Sequence, residues 1–293
     1  MSELEKTRGA GRLYLCATPI GNLEDITLRA LRVLREVDWI AAEDTRHTLK
    51  LLRHYDIRTP VISYHEHNEA QRSQELIQRL LRGEEGALVS DAGTPVISDP
   101  GYPLVRLAID SGIPVLPLPG PSALTAALIV SGLPPHPFYF GGFLPRREKE
   151  RKAALQAVAG LPATLVFYEA PHRLRQTLND AARVLPGRRA AVARELTKVH
   201  EEVARGTIEE LAAHFAAAAV RGECVLLIEG EKLGQEGMTR EQAPSEAEIR
   251  KALEAEMRAG ATRKEAIERV ASLYGIGRNR VYRLSLEVGR RPT

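Results

Sequence analysis

SDAGTPVISDPG, residues 90–101, follows the apolar run ALVS and precedes a segment of helical period. Glycine and proline at this density break both helix and strand, so the segment is a loop, and the apolar run before it puts it at the carboxyl end of a strand. The same unit recurs on both sides. LYLCA leads to a helix over 27–36, WIAA to one over 45–55, VISY to one over 69–82, ALVS to one over 103–111 and VLPL to one over 122–131. Short strands alternating with helices of about ten residues predict βαβ units around a largely parallel sheet.

The alternation stops at GLPPHP, residues 132–137, where three prolines remove backbone donors and the reading is an interdomain linker. A second α/β region follows. Its strands are expected near FYFGG, TLVFYE, RAAVARE and ECVLLIE, and its helices over 147–159, 173–184 and 208–219. VHEEVARGT alternates in the β manner and can pair as a hairpin, which predicts a mixed sheet. KLGQEGMTREQAPS is polar and without period, a flexible tether. Beyond it Ser245, with Glu248 three residues on, caps a helix to about Arg258. TRKEAIERVASLYGIGRNRVYRLSLEV then reads as helix, tight Gly275-Ile276-Gly277 turn and helix carrying Arg278, Arg280 and Arg283. Two readings fit that outline: a helix-turn-helix, or a helical hairpin packed on the body or on a second subunit.

With 293 residues, 44% hydrophobic and 27% charged, the chain has ample material for more than one core. Cys16 and Cys224 sit far apart in apolar runs without CxxC spacing or a nearby His pair, so they read as buried free thiols. The N-terminal MSELEKTRGAGR has mixed charge, and no window reaches the roughly 18 apolar residues of a membrane span. A cytoplasmic protein without a membrane partner is expected. Of the net charge of +3, the excess belongs to residues 245–293, which hold 11 Lys/Arg against 7 Asp/Glu. That bias is compatible with an acidic partner such as RNA.

Three loops follow strands of the first half: ATPIGN (17–22), SDAGTPVISDPG and LPGPSA (118–123). Strand carboxyl ends line the ligand crevice of an open parallel sheet, so the three are expected to converge. Each alone is an ordinary turn; three at three strand ends point to a site. A phosphate cradle needs consecutive backbone N–H groups, and neither GxxxxGK[ST] nor GxGxxG follows a strand here, while prolines at 19, 95, 100, 119 and 121 delete donors. What is left is a cleft of carbonyls and small residues with Asp91, Thr94 and Ser122 free to hydrogen-bond. It suits a phosphate-free ligand carrying positive charge, a description that S-adenosylmethionine fits. His65-Glu66-His67 invites a metal, but no third ligand is evident and none is expected.

TPIGNLEDIT, SDAGTPVISDPG, GPSA, FYEAPHR and RELTKVHEE, in this order, resemble the motifs of the bacterial ribosomal RNA small subunit methyltransferase I family, part of the wider tetrapyrrole methylase superfamily. The resemblance covers most of the chain, including the helical C-terminal extension. It implies two α/β domains of the tetrapyrrole methylase type, over 12–132 and 138–232, with the cofactor cleft between them, and a small helical module over 245–290. It also implies a homodimer that uses S-adenosylmethionine to methylate the ribose 2′-hydroxyl of a cytidine in the decoding region of 16S ribosomal RNA, free or in the 30S particle, and not DNA. By position in the motifs, Pro19 and Gly21 close one wall of the cofactor site, Asp91, Ala92, Gly93, Thr94 and Ile97 another, and Ser122 and Ala123 a third. Phe167 and Tyr168 approach from the opposite side.

Ribose methylation is an in-line displacement that must ease loss of a poorly acidic proton. The candidates are Glu169 and Arg173 from FYEAPHR, and Arg194, Glu195, Lys198 and Glu201 from RELTKVHEE. Lys198 or Glu195 is expected to contact the hydroxyl, with Arg173 and Arg194 holding RNA phosphates or bridging carboxylates. A purely structural ion-pair network is the alternative for Glu169 and Arg194. FLPRREKERK, residues 143–152, offers Arg146, Arg147 and Lys149 to an RNA backbone, with Arg278 and Arg280 in the helical module; a solvated helix start explains the first group equally well.

Overall fold

The computed structural model describes residues 9–216, 220–231, 244–274, 276, 278–286 and 288, leaving aside the side chains of Asn279 and Arg280. These residues fall into two compact units, 1–231 and 232–293.

The first half of the larger unit is a parallel sheet of five strands, β1 (Leu13–Cys16), β2 (Trp39–Ala42), β3 (Val61–Ser63), β4 (Gly86–Val89) and β5 (Val115–Leu118), in the order β3-β2-β4-β1-β5. Between them run α1 (Leu28–Glu36), α2 (Thr45–His54), α3 (Glu69–Leu81) and α4 (Tyr102–Asp110). Every residue of β2 and β4 is buried, as expected for parallel strands covered on both faces. One face packs Cys16, Ile40 and Ala42 against Leu31, Leu34 and Leu52 of α1 and α2. The other packs Leu13, Trp39 and Leu88 against Leu76, Leu80 and Leu104 of α3 and α4. Side-chain caps start the helices where the sequence places Thr27 and Asp44: Thr27 accepts from Ala30 N–H and Asp44 from Arg46 N–H. Trp39, the single tryptophan, lies flat over Gly86, where a Cβ would come within 2.2 Å of the indole. Only glycine leaves room for that ring, and the Arg79 guanidinium sits 5.6 Å above it.

The second half forms a mixed sheet from β6 (Phe138–Phe143), β7 (Thr164–Glu169), β8 (Arg189–Arg194), β9 (Glu202–Thr207) and β10 (Cys224–Ile228), ordered β6-β7-β10-β8-β9. β6 and β7 are parallel; the remaining neighbours are antiparallel. The hairpin suggested by VHEEVARGT is the β8–β9 pair. Helices α6 (Glu148–Val158), α7 (Leu174–Val184) and α8 (Ile208–His214) cover one face. α8 stops short of the expected 219, and residues 217–219 lie outside the described residues. The other face is covered by α5 (Ala123–Val130), whose Ala127 and Leu128 pack on Val166, Ala191 and Val225. α5 follows the last strand of the first sheet yet belongs to the core of the second, so the two sheets are joined by packing as well as by chain.

Residues 244–288 contain α9 (Glu246–Arg258), α10 (Arg263–Tyr274) and α11 (Arg278–Ser285) around Ile249, Leu253, Val270, Val281 and Leu284. Ser245 and Glu248 form the expected reciprocal capping box. Thr262 and Glu265 repeat it before α10. Of the expected turn, Gly275 and Gly277 lie outside the described residues. No helix among the described residues is long and apolar enough to cross a membrane.

Candidate active site

The loops after β1, β4 and β5 converge, and hydrogen bonds lace them together. Thr18 and Gly93 exchange backbone bonds at 2.9 Å in both directions, and the Thr18 hydroxyl donates to Ser90 O at 3.0 Å. Thr94 Oγ1 donates to Pro121 O at 3.3 Å. A fourth loop joins them: Asp44 N–H, just after β2, donates to Asp91 Oδ1 at 2.9 Å. Such ties fix the backbone before any ligand arrives.

They enclose a cavity of about 310 Å³, at the lower end of the range for small-molecule sites. Asp91, Ala92, Gly93, Thr94, Ile97, Ser122 and Ala123 line it from the first half; Tyr168, Glu169, Glu195 and Lys198 line it from the second. Pro19 lies instead beside a smaller neighbouring cavity of about 30 Å³ with His47 and Leu51. Gly21 lines neither cavity. Phe167 points to the α6–α8 side, packed in the core with Leu155 and Leu178, because successive strand residues face opposite ways and Tyr168 takes the cavity side.

The cavity floor is acidic. Glu43, Asp91, Asp99 and Glu223 all contribute, and Lys198 is the only cation among its lining residues. Burial, reinforced by Glu43, pushes the Asp99 carboxyl up to about 7 against the opposing hydrogen bond to Ser90. Burial and then Asp91 raise Glu43 as well. Desolvation likewise raises the Tyr168 phenol. A phosphate would be repelled from this floor, whereas a nucleoside with a positive charge fits both the small-residue walls and the carboxylates. Among the described residues no group of three or more His, Cys, Asp or Glu is placed to hold a metal ion.

Glu43, Asp99 and Glu223 were not singled out by sequence. Glu43 follows a strand end, and the strand-end rule applied to WIAA would have pointed to it. Asp99 lies inside SDAGTPVISDPG but looks like part of an Asp-Pro turn. Glu223 carries no such signal: it precedes β10, whose start lies beside the ends of β7 and β8 only because those pairings are antiparallel, with Cys224 opposite both Glu169 and Arg194.

The charged candidates divide sharply. Glu169 is buried and accepts from Thr177 Oγ1 at 2.6 Å and from Ala170 N–H at 2.8 Å, with Arg173 Nε 3.1 Å away. Arg173 also donates to Leu144 O at 2.5 Å, tying α7 to the end of β6. Arg194 pairs across β8–β9 with Glu202 at 2.5 Å and is not among the residues lining the cavity. Glu201 is exposed and bonds within its own loop, accepting from Thr197 N–H at 2.6 Å. Lys198 and Glu195 form an ion pair of 2.8 Å at the rim, with 38% and 17% of their side chains exposed. Glu195 and Thr197 hold left-handed backbones with φ of 51° and 66°, which concentrates strain in the loop that presents the pair.

In the basic segment before and within α6, Arg146, Arg147 and Lys149 are exposed, and Arg147 pairs with Glu150 at 3.3 Å. Arg151 and Lys152 serve the fold. Arg151 is buried, its Nε and Nη2 both donating to Asp180 Oδ2 at 2.9 and 2.6 Å, and it also donates to Arg146 O at 2.8 Å. Lys152 bonds to Glu148 and lies 3.5 Å from Asp180. In the helical unit Arg278 is 3.4 Å from Glu268, while the Arg280 side chain lies outside what is described.

Comparison with known proteins agrees with this geometry. Residues 12–212 match the family of Tetrapyrrole (Corrin/Porphyrin) Methylases. Ribosomal RNA small subunit methyltransferase I of Halalkalibacterium halodurans is 50% identical over 277 residues, covering 94% of each chain. Among solved structures, a diphthine synthase superposes with a TM-score of 0.61 at 15% identity, over 76% of this chain and 91% of that one. Uroporphyrin-III C-methyl transferase from Thermus thermophilus, solved with S-adenyl homocysteine, gives 0.54 at 22% identity, over 75% and 97%. Those two share the fold, an α/β architecture of the tetrapyrrole methylase type. Identity of one residue in two, sustained along nearly the whole of both sequences, places this chain in the ribosomal RNA small subunit methyltransferase I family of the tetrapyrrole methylases.

Proposed function

We propose that the chain uses S-adenosylmethionine to methylate the ribose 2′-hydroxyl of a cytidine in the decoding region of 16S ribosomal RNA, working in the cytoplasm as a homodimer. Its working parts are a cofactor-loop domain over 12–132, a second α/β domain over 138–232 and a helical module over 245–290. The observation that carries the reading is the acid-floored cavity at the parallel strand ends, with one ion pair at its rim. The cofactor supplies an activated methyl group. Asp91 through Thr94, Ile97, Ser122, Ala123 and Tyr168 hold it, while Asp99 and Glu43 compensate its charge.

The ribose hydroxyl meets the Lys198–Glu195 pair. Glu195 accepts the departing proton and Lys198 steadies the negative charge that develops on oxygen, so the hydroxyl loses a proton and gains a methyl group. Glu169 and Arg173 act one step back, holding β7 and α7 in place. Arg146, Arg147 and Lys149 offer phosphate contacts to the RNA, and Arg278 and Arg280 of the helical unit are assigned the same kind of contact.

The test is transfer of labelled methyl from S-adenosylmethionine to small-subunit particles and to free 16S RNA, followed by nucleoside analysis. Label in 2′-O-methylcytidine is expected. Label on a base, or none on either RNA substrate, would sink the assignment.

A further inference from the structure

The ion pair at the rim owes its position to residues outside its own loop. A Cβ placed on Gly21 would lie 2.5 Å from Lys198 Cγ, 2.9 Å from Lys198 Cε and 3.0 Å from Leu196 O. A Cβ on Gly222 would lie 1.6 Å from Glu195 Oε1, 2.2 Å from its Cδ and 2.7 Å from its Cγ. At Gly21 the collision reaches Lys198 Cγ, and at Gly222 it is closest at the Glu195 carboxylate and runs back to Cγ, so a Cβ at either position displaces the side chain from the place it holds. One glycine comes from the loop after β1 and the other from the approach to β10. Asn22 N–H, next to Gly21, donates to Thr197 Oγ1 at 3.1 Å and locks the first loop against the loop that bears the pair.

The geometry points to Gly21 and Gly222 as positioning residues, which form the two sides of a slot that holds Lys198 and Glu195 where the ribose hydroxyl arrives. Gly21 therefore acts on the acceptor side of the reaction, and not as a wall of the cofactor cavity, which it does not line. This assignment rests on the role given to Lys198 above. Misplacement of a catalytic group by about 1 Å costs on the order of 10²-fold in rate, while ligand binding elsewhere is untouched.

The experiment is a double-mutant cycle on the full chain, with labelled S-adenosylmethionine, small-subunit particles as acceptor, and S-adenosylhomocysteine as the binding probe. Gly21→Ala is expected to lower kcat by roughly 10²-fold and leave the affinity for S-adenosylhomocysteine unchanged. In a Lys198→Ala background the added Gly21→Ala change is expected to do little further, since the side-chain atoms it strikes are gone and only the 3.0 Å approach to Leu196 O remains. Gly222→Asn keeps a residue that tolerates the left-handed backbone at φ +73° but adds the Cβ, and is expected to behave the same way against Glu195→Ala.

Additive losses in either cycle would overturn the inference, as would weakened S-adenosylhomocysteine binding in Gly21→Ala. Normal kcat in Gly21→Ala with an inactive Lys198→Ala would overturn it as well, and would leave the role of Lys198 standing. Full turnover by Lys198→Ala would instead overturn that role. Because the double variants lack the side-chain collision, their melting temperatures separate misplacement from misfolding.

Discussion

Asp99 carries a pH expectation with a definite sign. Its carboxyl titrates near 7 in the folded chain against 3.8 for the ordinary group, so between those values the folded chain keeps a proton that the unfolded chain has released. Stability therefore falls as pH rises across that window and levels off above about 7. Asp99→Asn should flatten the slope in a series of urea midpoints, leaving what Glu43 contributes; an equal slope in the variant would assign it to another group. A cation prefers the ionised carboxylate, so affinity for S-adenosylmethionine should rise through about pH 7 in the parent protein and stay level in Asp99→Asn, as calorimetry would show.

For Lys198→Ala the expected loss is roughly 10²- to 10⁴-fold in kcat, the range for removing a group that aids proton transfer or stabilises developing charge, with S-adenosylhomocysteine binding intact. The sequence pointed to Lys198 and Glu195 and left a structural ion-pair network open for Glu169 and Arg194 without deciding it. All four sit in charged motifs at strand ends, and only the placement of Thr177 and Glu202 shows that two of them are already spoken for.

At the level of elements, the Arg151–Asp180 pair joins the start of α6 to α7 with both side chains about 95% buried or more. Removing one partner strands the other's charge, so Asp180→Ala should cost about 3–5 kcal/mol, read as a lowered denaturation midpoint, while Arg151→Met with Asp180→Leu should recover much of it. A small effect of Asp180→Ala would mean that water reaches the guanidinium. The parallel sheet was legible from short apolar runs and helical periods, because in βαβ units sequence order and hydrophobic pattern point the same way. α5 was legible as a helix but not as a lid on the second sheet. ALTAALIV is apolar all round and gives no direction in which to pack. The antiparallel pairing of β10 with β7 and β8 was equally hidden, since strands with similar alternation admit several registers.

At the largest scale, the carboxylate-rich cavity contrasts with the exposed Arg146, Arg147 and Lys149 before and within α6. Replacing Arg146, Arg147 and Lys149 together with Gln should weaken RNA binding and flatten its dependence on log salt by about 2, at roughly 0.7 per lost phosphate contact. Unchanged affinity and slope would leave those side chains as the solvated start of α6. Removing residues 232–293 should spare S-adenosylhomocysteine binding, because every residue lining the cavity lies before Glu231, and should lower affinity for RNA.

Trp39 makes these parts separately observable. The only indole of the chain is sealed between Gly86 and the Arg79 guanidinium inside the first sheet, and the helical unit has none. Its emission is therefore a private spectroscopic channel for one sheet, whereas ellipticity sums over the helices of both units. A loss of ellipticity on heating without a change in emission would mark melting outside the first sheet, and its disappearance on removal of the helical unit would assign it there, with no label attached to the protein.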